Sequence, residues 1–288
     1  MFGWRVDVAK PGGFCEGPGS RHRGWRLTFR LLFIGDVVGE AGCAAVRKLV
    51  PALRRELGLD AVVANGENSA PTGRGITPGS GSELLSVADF VTLGNHAYDA
   101  GEGGRFLDQE LRIVRPANFG AGSPGYGWGL FEVGGVRVGV TNVLGRVFLN
   151  STSRSPFAAA DRAVEDLEAA GADLVLVDVH AEATSEKQAM GYYLAGRAQA
   201  VVGTHTHVPT VDLRVLPGDT AYVTDVGMTG DPESIIGFDR ENFMGLFLGR
   251  PSRIGVSGGA AALNAVLIEM DLEGRRATGI ERVYREPT

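Results

Sequence analysis

Four of the chain's five histidines stand just past short apolar runs, each beside a carboxylate, an amide or another histidine. The phrases are FIGD (Asp36), ANGEN (Glu67, Asn68), TLGNH (Asn95, His96), VDVH (His180) and VGTHTH (His205, His207). Only His22 lies elsewhere. A lone histidine at a strand end is more often structural than functional. Four at equivalent positions, with two carboxylates and two amides, point instead to one shared site. Imidazole, carboxylate and amide oxygen without a nearby thiolate suit Fe, Mn, Zn, Ni or Co. A structural zinc site built on thiolates is excluded for want of cysteines, because the chain has only two, Cys15 and Cys43. His205 and His207 are spaced i, i+2, so in an extended segment they face one way and Thr206 the other. These donors outnumber the needs of one ion. Two ions sharing a carboxylate is the natural accounting.

Such donors need strands to bring them together. RLLFIGD, DAVVANGEN, DFVTLGNH, DLVLVDVHAE and AQAVVGTHTH each read as a buried strand with a polar exit. RIVRPANF is a further, weaker strand. Between them, EAGCAAVRKLVPALRREL, SELLSVA, PFAAADRAVEDLEAAG and TSEKQAMGYYLAGR carry helical spacing. GLFEVGGVRVGVTNVLG reads as two strands around a Gly-Gly hairpin. The last third (VDLRVL, TAYVTDVG, ALNAVLIEMDLEGRRATGIERVY) reads as antiparallel hairpins. Strands alternating with helices and then hairpins predict an α/β sandwich of two mixed sheets flanked by helices, in one domain over 27–288. In open α/β sheets ligands bind outside the carboxyl ends of strands, which is where all the candidate donors fall. Residues 1–26, rich in Gly, Pro and Arg, read as a flexible extension.

Composition narrows the function classes. With 44% hydrophobic and 22% charged residues in 288, the chain is an ordinary globular protein rather than a disordered or fibrous one. Its 43 glycines are about twice the usual share and imply many tight turns and close backbone approaches. A net charge of −6 is a poor match to duplex nucleic acid, which needs a basic face. No apolar run approaches the ~18 residues of a membrane span, and the basic N-terminal stretch lacks the apolar segment of a signal peptide. Two unmotivated cysteines favour a reducing cytoplasm. SAPTGRG lacks GK[ST] and GDVVG is not GxGxxG, so neither phosphate-binding turn is present.

The ordered phrases GD, GEN, GNH, His180 and GTHTH resemble the binuclear metallophosphoesterase, or calcineurin-like, superfamily. FIGDVVG, NGENSA, TLGNHAYD, HAEATSEK and VGTHTHVPT are similar to its YmdB-like bacterial branch, described as 2′,3′-cyclic-nucleotide 2′-phosphodiesterases. The likeness runs from about Leu31 to Gly237 and is expected to continue to the C-terminus. The wider superfamily begins with Asp-x-His, and here that histidine position is Val38, which cannot coordinate. The branch compensates with its Glu-Asn pair. The resemblance therefore implies a first metal held by Asp36, Glu67, Asn68 and His207, and a second held by Glu67, Asn95, His180 and His205. It favours iron, with manganese as the alternative. A hydroxide bridging the metals would attack phosphorus, and a small residual positive charge would meet the phosphate. His96 is then the catalytic acid or phosphorane-stabilising group, with Asp99 orienting its ring or serving as a helix N-cap.

Other polar residues carry weaker expectations. Arg74 in the glycine-rich loop and Asn118 in RPANF are candidate substrate contacts, Asn118 equally a turn residue. Thr184 or Ser185 reads as a helix cap, Lys187 as a pocket-lining candidate, and Asp225 as a strand-end group behind the ligands. Three functions stay open at this level: a cyclic-nucleotide phosphodiesterase, a phosphomonoesterase or nucleotidase on the same metals, and a regulatory protein with a vestigial site. The substrate is a nucleotide or another small phosphoester, and a homo-oligomer is compatible with the composition.

Overall fold

The computed structural model describes residues 28–101, 103–149 and 154–286; the expectations for residues 1–26, with Cys15 and His22, lie outside them. In chain order the elements are β1 (Thr28–Ile34), α1 (Gly39–Glu56), β2 (Ala61–Asn65), α2 (Pro78–Leu85), β3 (Phe90–Thr92), α3 (Gly103–Gln109) and β4 (Ile113–Val114). They continue with β5 (Trp128–Val133), β6 (Val136–Leu144), α4 (Pro156–Ala169), β7 (Leu174–His180), α5 (Thr184–Leu194) and β8 (Ala200–Thr204). The chain closes with β9 (Arg214–Leu216), β10 (Thr220–Val223), α6 (Arg240–Phe247), β11 (Leu263–Asp271) and β12 (Arg276–Arg285).

Two six-stranded sheets result, in the orders β12-β11-β1-β2-β3-β4 and β5-β6-β7-β8-β10-β9. Both are mixed: β1 to β4 and β6-β7-β8-β10 run parallel, whereas β11, β5 and β9 pair antiparallel with their neighbours β1, β6 and β10, and β12 antiparallel with β11. The expected α/β sandwich is the observed architecture. Parallel strands buried on both faces use their two-residue period twice. In β1, Leu31 and Phe33 face the second sheet, whereas Leu32 and Ile34 face the helices. The inter-sheet core takes Val63, Phe90, Val140, Leu176 and Val202 from other strands. α1 and α2 cover the outer face of the first sheet, and α4 and α5 that of the second. Truncating a core side chain such as Leu176 to Ala would cost about 2–5 kcal/mol.

Gly134 and Gly135, at φ 61° and 84°, supply the two left-handed residues that close the β5–β6 hairpin. The last third departs from a string of hairpins. β10 pairs antiparallel with β9 but parallel with β8, and α6 intervenes before the β11–β12 hairpin joins the first sheet beside β1. The β11–β1 pairing sets Leu31 opposite Ile268, and the β10–β8 pairing skips past β9, so local turn chemistry does not specify them. Among the described residues no helix is long and apolar enough to cross a membrane.

Candidate metal centre

The inter-sheet core changes character at one level. Counting in twos along the inward face, Val63 is followed by Asn65, Phe90 by Thr92, Val140 by Asn142, Leu176 by Asp178, Val202 by Thr204 and Val223 by Asp225. All six polar residues are fully or almost fully buried. This polar layer lies between the apolar core and the strand exits, and the sequence-predicted donors gather above it.

Glu67, His180 and His205 place one donor atom each within 4.8 Å of one another. His180 Nε2 lies 2.8 Å from Glu67 Oε1, 3.1 Å from Asn95 Oδ1 and 3.0 Å from His205 Nδ1. One ring N–H can satisfy only one of those three acceptors. A cation satisfies all of them, so the donor set fits a metal ion. The partners on the far sides of the rings agree. Thr204 Oγ1, which donates to Asp178 Oδ1 at 2.7 Å, lies 2.8 Å from His180 Nδ1 and accepts its proton. Glu182 Oε2 lies 3.2 Å from His205 Nε2. Both arrangements leave the inward nitrogen as the metal-facing lone pair.

A second gap lies between Asn68 and His207. The Asn68 amide donates to the Gly73 carbonyl at 2.8 Å, which turns Oδ1 toward His207 Nε2, 3.2 Å away. His207 Nδ1 donates to the Ile236 carbonyl at 2.8 Å. With the proton on Nδ1, two lone pairs face each other and again call for a cation. Asp36 lies alongside, its carboxylate accepting the His205 backbone N–H at 3.2 and 3.3 Å. Val38 is buried against Gly237, and its backbone bridges to Asn68. Val38 is thus held by apolar packing and offers no donor to the site.

Electrostatics reflect this crowding in the metal-free chain. Burial would raise the Glu67 carboxyl, but the charge and hydrogen bond of His180, with His96 behind them, bring it down to about 2. Burial would lower His180, yet Glu67, Asp36 and Asp178 hold it up at about 9. Burial and the neighbouring His180 charge push His205 down to about 3, leaving a neutral imidazole. Asp36 is raised to about 6 by burial, against the pull of His207 and His180. Asp178 is raised by burial, opposed by His180 and by its hydrogen bonds. No side chain fits at Gly94, where a Cβ would collide with Glu67 and His180.

The remaining candidates are distributed as follows. His96 is half-buried at the rim; its backbone N–H donates to Glu67 Oε2 at 3.1 Å, and its Nδ1 lies 2.8 Å from Asp99 Oδ2. α3 begins at Gly103, so Asp99 does not cap it. Arg74 is exposed in the loop that Asn68 tethers through Gly73. The Asn118 side chain is spent on backbone: it donates to the Leu144 and Arg154 carbonyls and accepts the Leu144 N–H. Ala183, with no side-chain bond, is the N-cap of α5, so neither Thr184 nor Ser185 caps it.

Lys187 does not line a pocket; it is fully buried, with Nζ 2.6 Å from Asp225 Oδ2. Asp225 also accepts the Thr206 N–H and hydroxyl and the Gly227 N–H. These bonds hold a bend, not the extended segment that the spacing suggested: His205 and His207 sit at φ 97° and 66°. Left-handed backbone is uncommon outside glycine and persists where surroundings impose it. Sequence reasoning passed over Asp178, Thr204, Asn65 and Glu182. The available signal was Asp178 itself, a charge inside the apolar run LVLVDVH, two residues before a histidine.

Known proteins share this arrangement of chain. Residues 32–283 match the family described as YmdB-like protein. The chain belongs to the YmdB-like family. A relative from Bacillus subtilis (strain 168), named 2′,3′-cyclic-nucleotide 2′-phosphodiesterase, is 44% identical over 88% of this chain and 96% of its own length. A solved structure of a hypothetical protein from Thermus thermophilus superposes with a TM-score of 0.83 at 45% identity, covering 90% of this chain and 100% of that one. Another, described as a novel phosphatase from Mycoplasma pneumoniae, gives a TM-score of 0.83 at 32% identity over 90% of this chain and 94% of that one.

Proposed function

We propose that this member of the YmdB-like family is a phosphoric ester hydrolase that opens 2′,3′-cyclic nucleotides to 3′-nucleotides on a two-metal centre. The observation that carries the reading is the 44% identity, over nearly its whole length, to the relative named for that reaction. The gathered donors support it. Asp36, Glu67, Asn68 and His207 would hold one ion, and Glu67, Asn95, His180 and His205 the other, with iron or manganese the fitting metals. When bound, the ions supply a water acidified from a pKa of ~15.7 toward 7 and clamp the phosphate oxygens.

The chain's own residues do the rest. Asp99 accepts a hydrogen bond from His96 Nδ1–H, which orients the ring and leaves Nε2–H as the position that would protonate the leaving oxygen. The bond from the His96 backbone to Glu67 keeps that ring at a set distance from the shared carboxylate. Arg74, exposed beside the Asn68 loop, is the candidate phosphate or substrate contact. Asn118 acts one step away, by pinning the end of β6 next to His180.

A monoester dianion is attracted to a positive centre more strongly than a diester monoanion. Preference for a cyclic diester must therefore come from pocket shape and from protonation of the alkoxide. The test is kcat/KM for 2′,3′-cyclic AMP against 3′-AMP and 5′-AMP with Mn²⁺ or Fe²⁺ added, and identification of the product isomer. The expected result is a preference for the cyclic substrate with 3′-AMP released. A preference for the monoesters makes the chain a nucleotidase, and 2′-AMP as main product reverses the regiochemistry.

A further inference from the structure

Beneath the donors, the polar layer holds a carboxylate that the reaction itself leaves unused. Asp178 is fully buried and reaches both sheets. Its Oδ1 accepts the Thr204 hydroxyl at 2.7 Å, and the same hydroxyl oxygen receives His180 Nδ1 at 2.8 Å. Its Oδ2 accepts Asn65 Nδ2 at 2.9 Å and the Thr92 hydroxyl at 2.6 Å. Asn65 Oδ1 in turn accepts the Glu67 backbone N–H at 3.1 Å. Asn65 and Thr92 belong to the first sheet, Asp178 and Thr204 to the second.

We propose that Asp178 is a positioning residue of the metal centre, setting through Thr204 the aim of His180 and through Asn65 the backbone at Glu67. This rests on the two-metal reading above. The chemistry is directional. A carboxylate only accepts, so the Thr204 hydroxyl proton points at Asp178 and its oxygen is left to accept from His180 Nδ1. The imidazole is thereby fixed in rotation and in tautomer, with Nε2 toward Glu67 and Asn95. The side-chain amide of Asn65 is oriented the same way: its N–H₂ is drawn to Asp178, so its oxygen faces the Glu67 N–H. One carboxylate between two sheets thus registers a donor from each. Thr92 provides an internal control, because its hydroxyl bonds the same carboxylate without leading on to a donor.

The experiment titrates Mn²⁺ into the full chain after chelator stripping, with free Mn²⁺ followed by electron paramagnetic resonance. Circular dichroism checks folding. Thr204→Val keeps shape and removes the hydroxyl; it should weaken one of two Mn²⁺ sites by about 10–100-fold. Thr204→Ser should restore that site, and Thr92→Val should stay within about twofold of the parent chain. Equal losses in Thr92→Val and Thr204→Val would mean a structural role only and overturn the proposal, as would failure of Thr204→Ser to restore binding. A parent chain that binds two Mn²⁺ while Thr204→Val binds them equally well sinks this proposal and leaves the two-metal reading standing. A parent chain that binds none sinks both.

Discussion

The two sheets equip the centre differently. The first sheet offers the proposed oxygen donors, Asp36, Glu67, Asn68 and Asn95, from the exits of β1, β2 and β3. The second delivers imidazoles, His180, His205 and His207, from the exits of β7 and β8. The carboxylates offer lone pairs from either oxygen, with Gly94 clearing the space around Glu67, while the Asn68 amide is turned oxygen-inward by its bond to the Gly73 carbonyl. An imidazole has two nitrogens, and the wrong tautomer aims a proton at the metal. Each second-sheet ring accordingly has a partner on its far side: Thr204 for His180, Glu182 for His205 and the Ile236 carbonyl for His207. Carboxylates need placing; amides need the oxygen turned inward, and imidazoles need placing and a fixed proton.

The hardest break in the comparison is at the carboxylate the two ions would share. Glu67→Gln should abolish stoichiometric binding of two metals and reduce kcat/KM by more than about 10³-fold, beyond the 10–100-fold typical of an indirect partner. Elemental analysis with turnover on 2′,3′-cyclic AMP reads both quantities. Full activity with two metals still bound would remove Glu67 from its role.

Next comes His96, a first-sheet imidazole proposed as the acid and not as a ligand. His96→Ala should keep both metals and lose about 10²–10⁴-fold in turnover, whereas His207→Ala should lose metal first. An equal drop in metal content in both variants would erase the distinction between acid and ligand. Asp99→Asn should lie between His96→Ala and the parent in turnover, with metal content unchanged.

A smaller effect is expected at Glu182, half-exposed behind His205. Glu182→Gln should weaken one Mn²⁺ site by about tenfold, measured by chelator competition, because a partner that orients a ligating ring is worth about 10–100-fold at most. No change would show that the bend at φ 97° alone orients His205.

The mildest signature is in protons. His180, held at about 9 without metal, carries a proton at pH 7 that a metal must displace. Metal binding should release protons, and apparent affinity should rise with pH between about 7 and 9. The sign for the apo chain is opposite. A raised folded-state pKa contributes stability that is complete below the unfolded value near 6.5 and is lost as pH rises through about 9. Calorimetry in buffers of different ionisation enthalpy counts the protons; zero release at pH 7 would contradict the assignment.

Much of this was legible in the sequence. The phrases GD, GEN, GNH and THTH show the donors because each stands where an apolar run stops, and chain order alone puts those stops on one edge of a parallel arrangement. Two kinds of information were absent. Thr206 reads as a spacer between two histidines, yet its bonds to Asp225, with Lys187 behind them, make the bend. Asn118 reads as a candidate contact, yet its amide is consumed by backbone that only folding brings near.

By itself, then, the sequence supplied the inventory: which atoms could hold metal, that the strands present them together, and, through the family likeness, that Val38 offers no donor where Asn68 would add an oxygen. Local residue type and two-residue periodicity suffice for the donors and their strands; the exchange at Val38 and Asn68 is visible through the family likeness. Only the tertiary structure decided which face of each imidazole is free, that β10 runs parallel beside β8, and that Asp178 spans the sheets to touch Asn65, Thr92 and Thr204. The reason is sequence separation. Asn65 and Asp178 are 113 residues apart, and a 2.9 Å hydrogen bond between them exists only once both sheets have stacked.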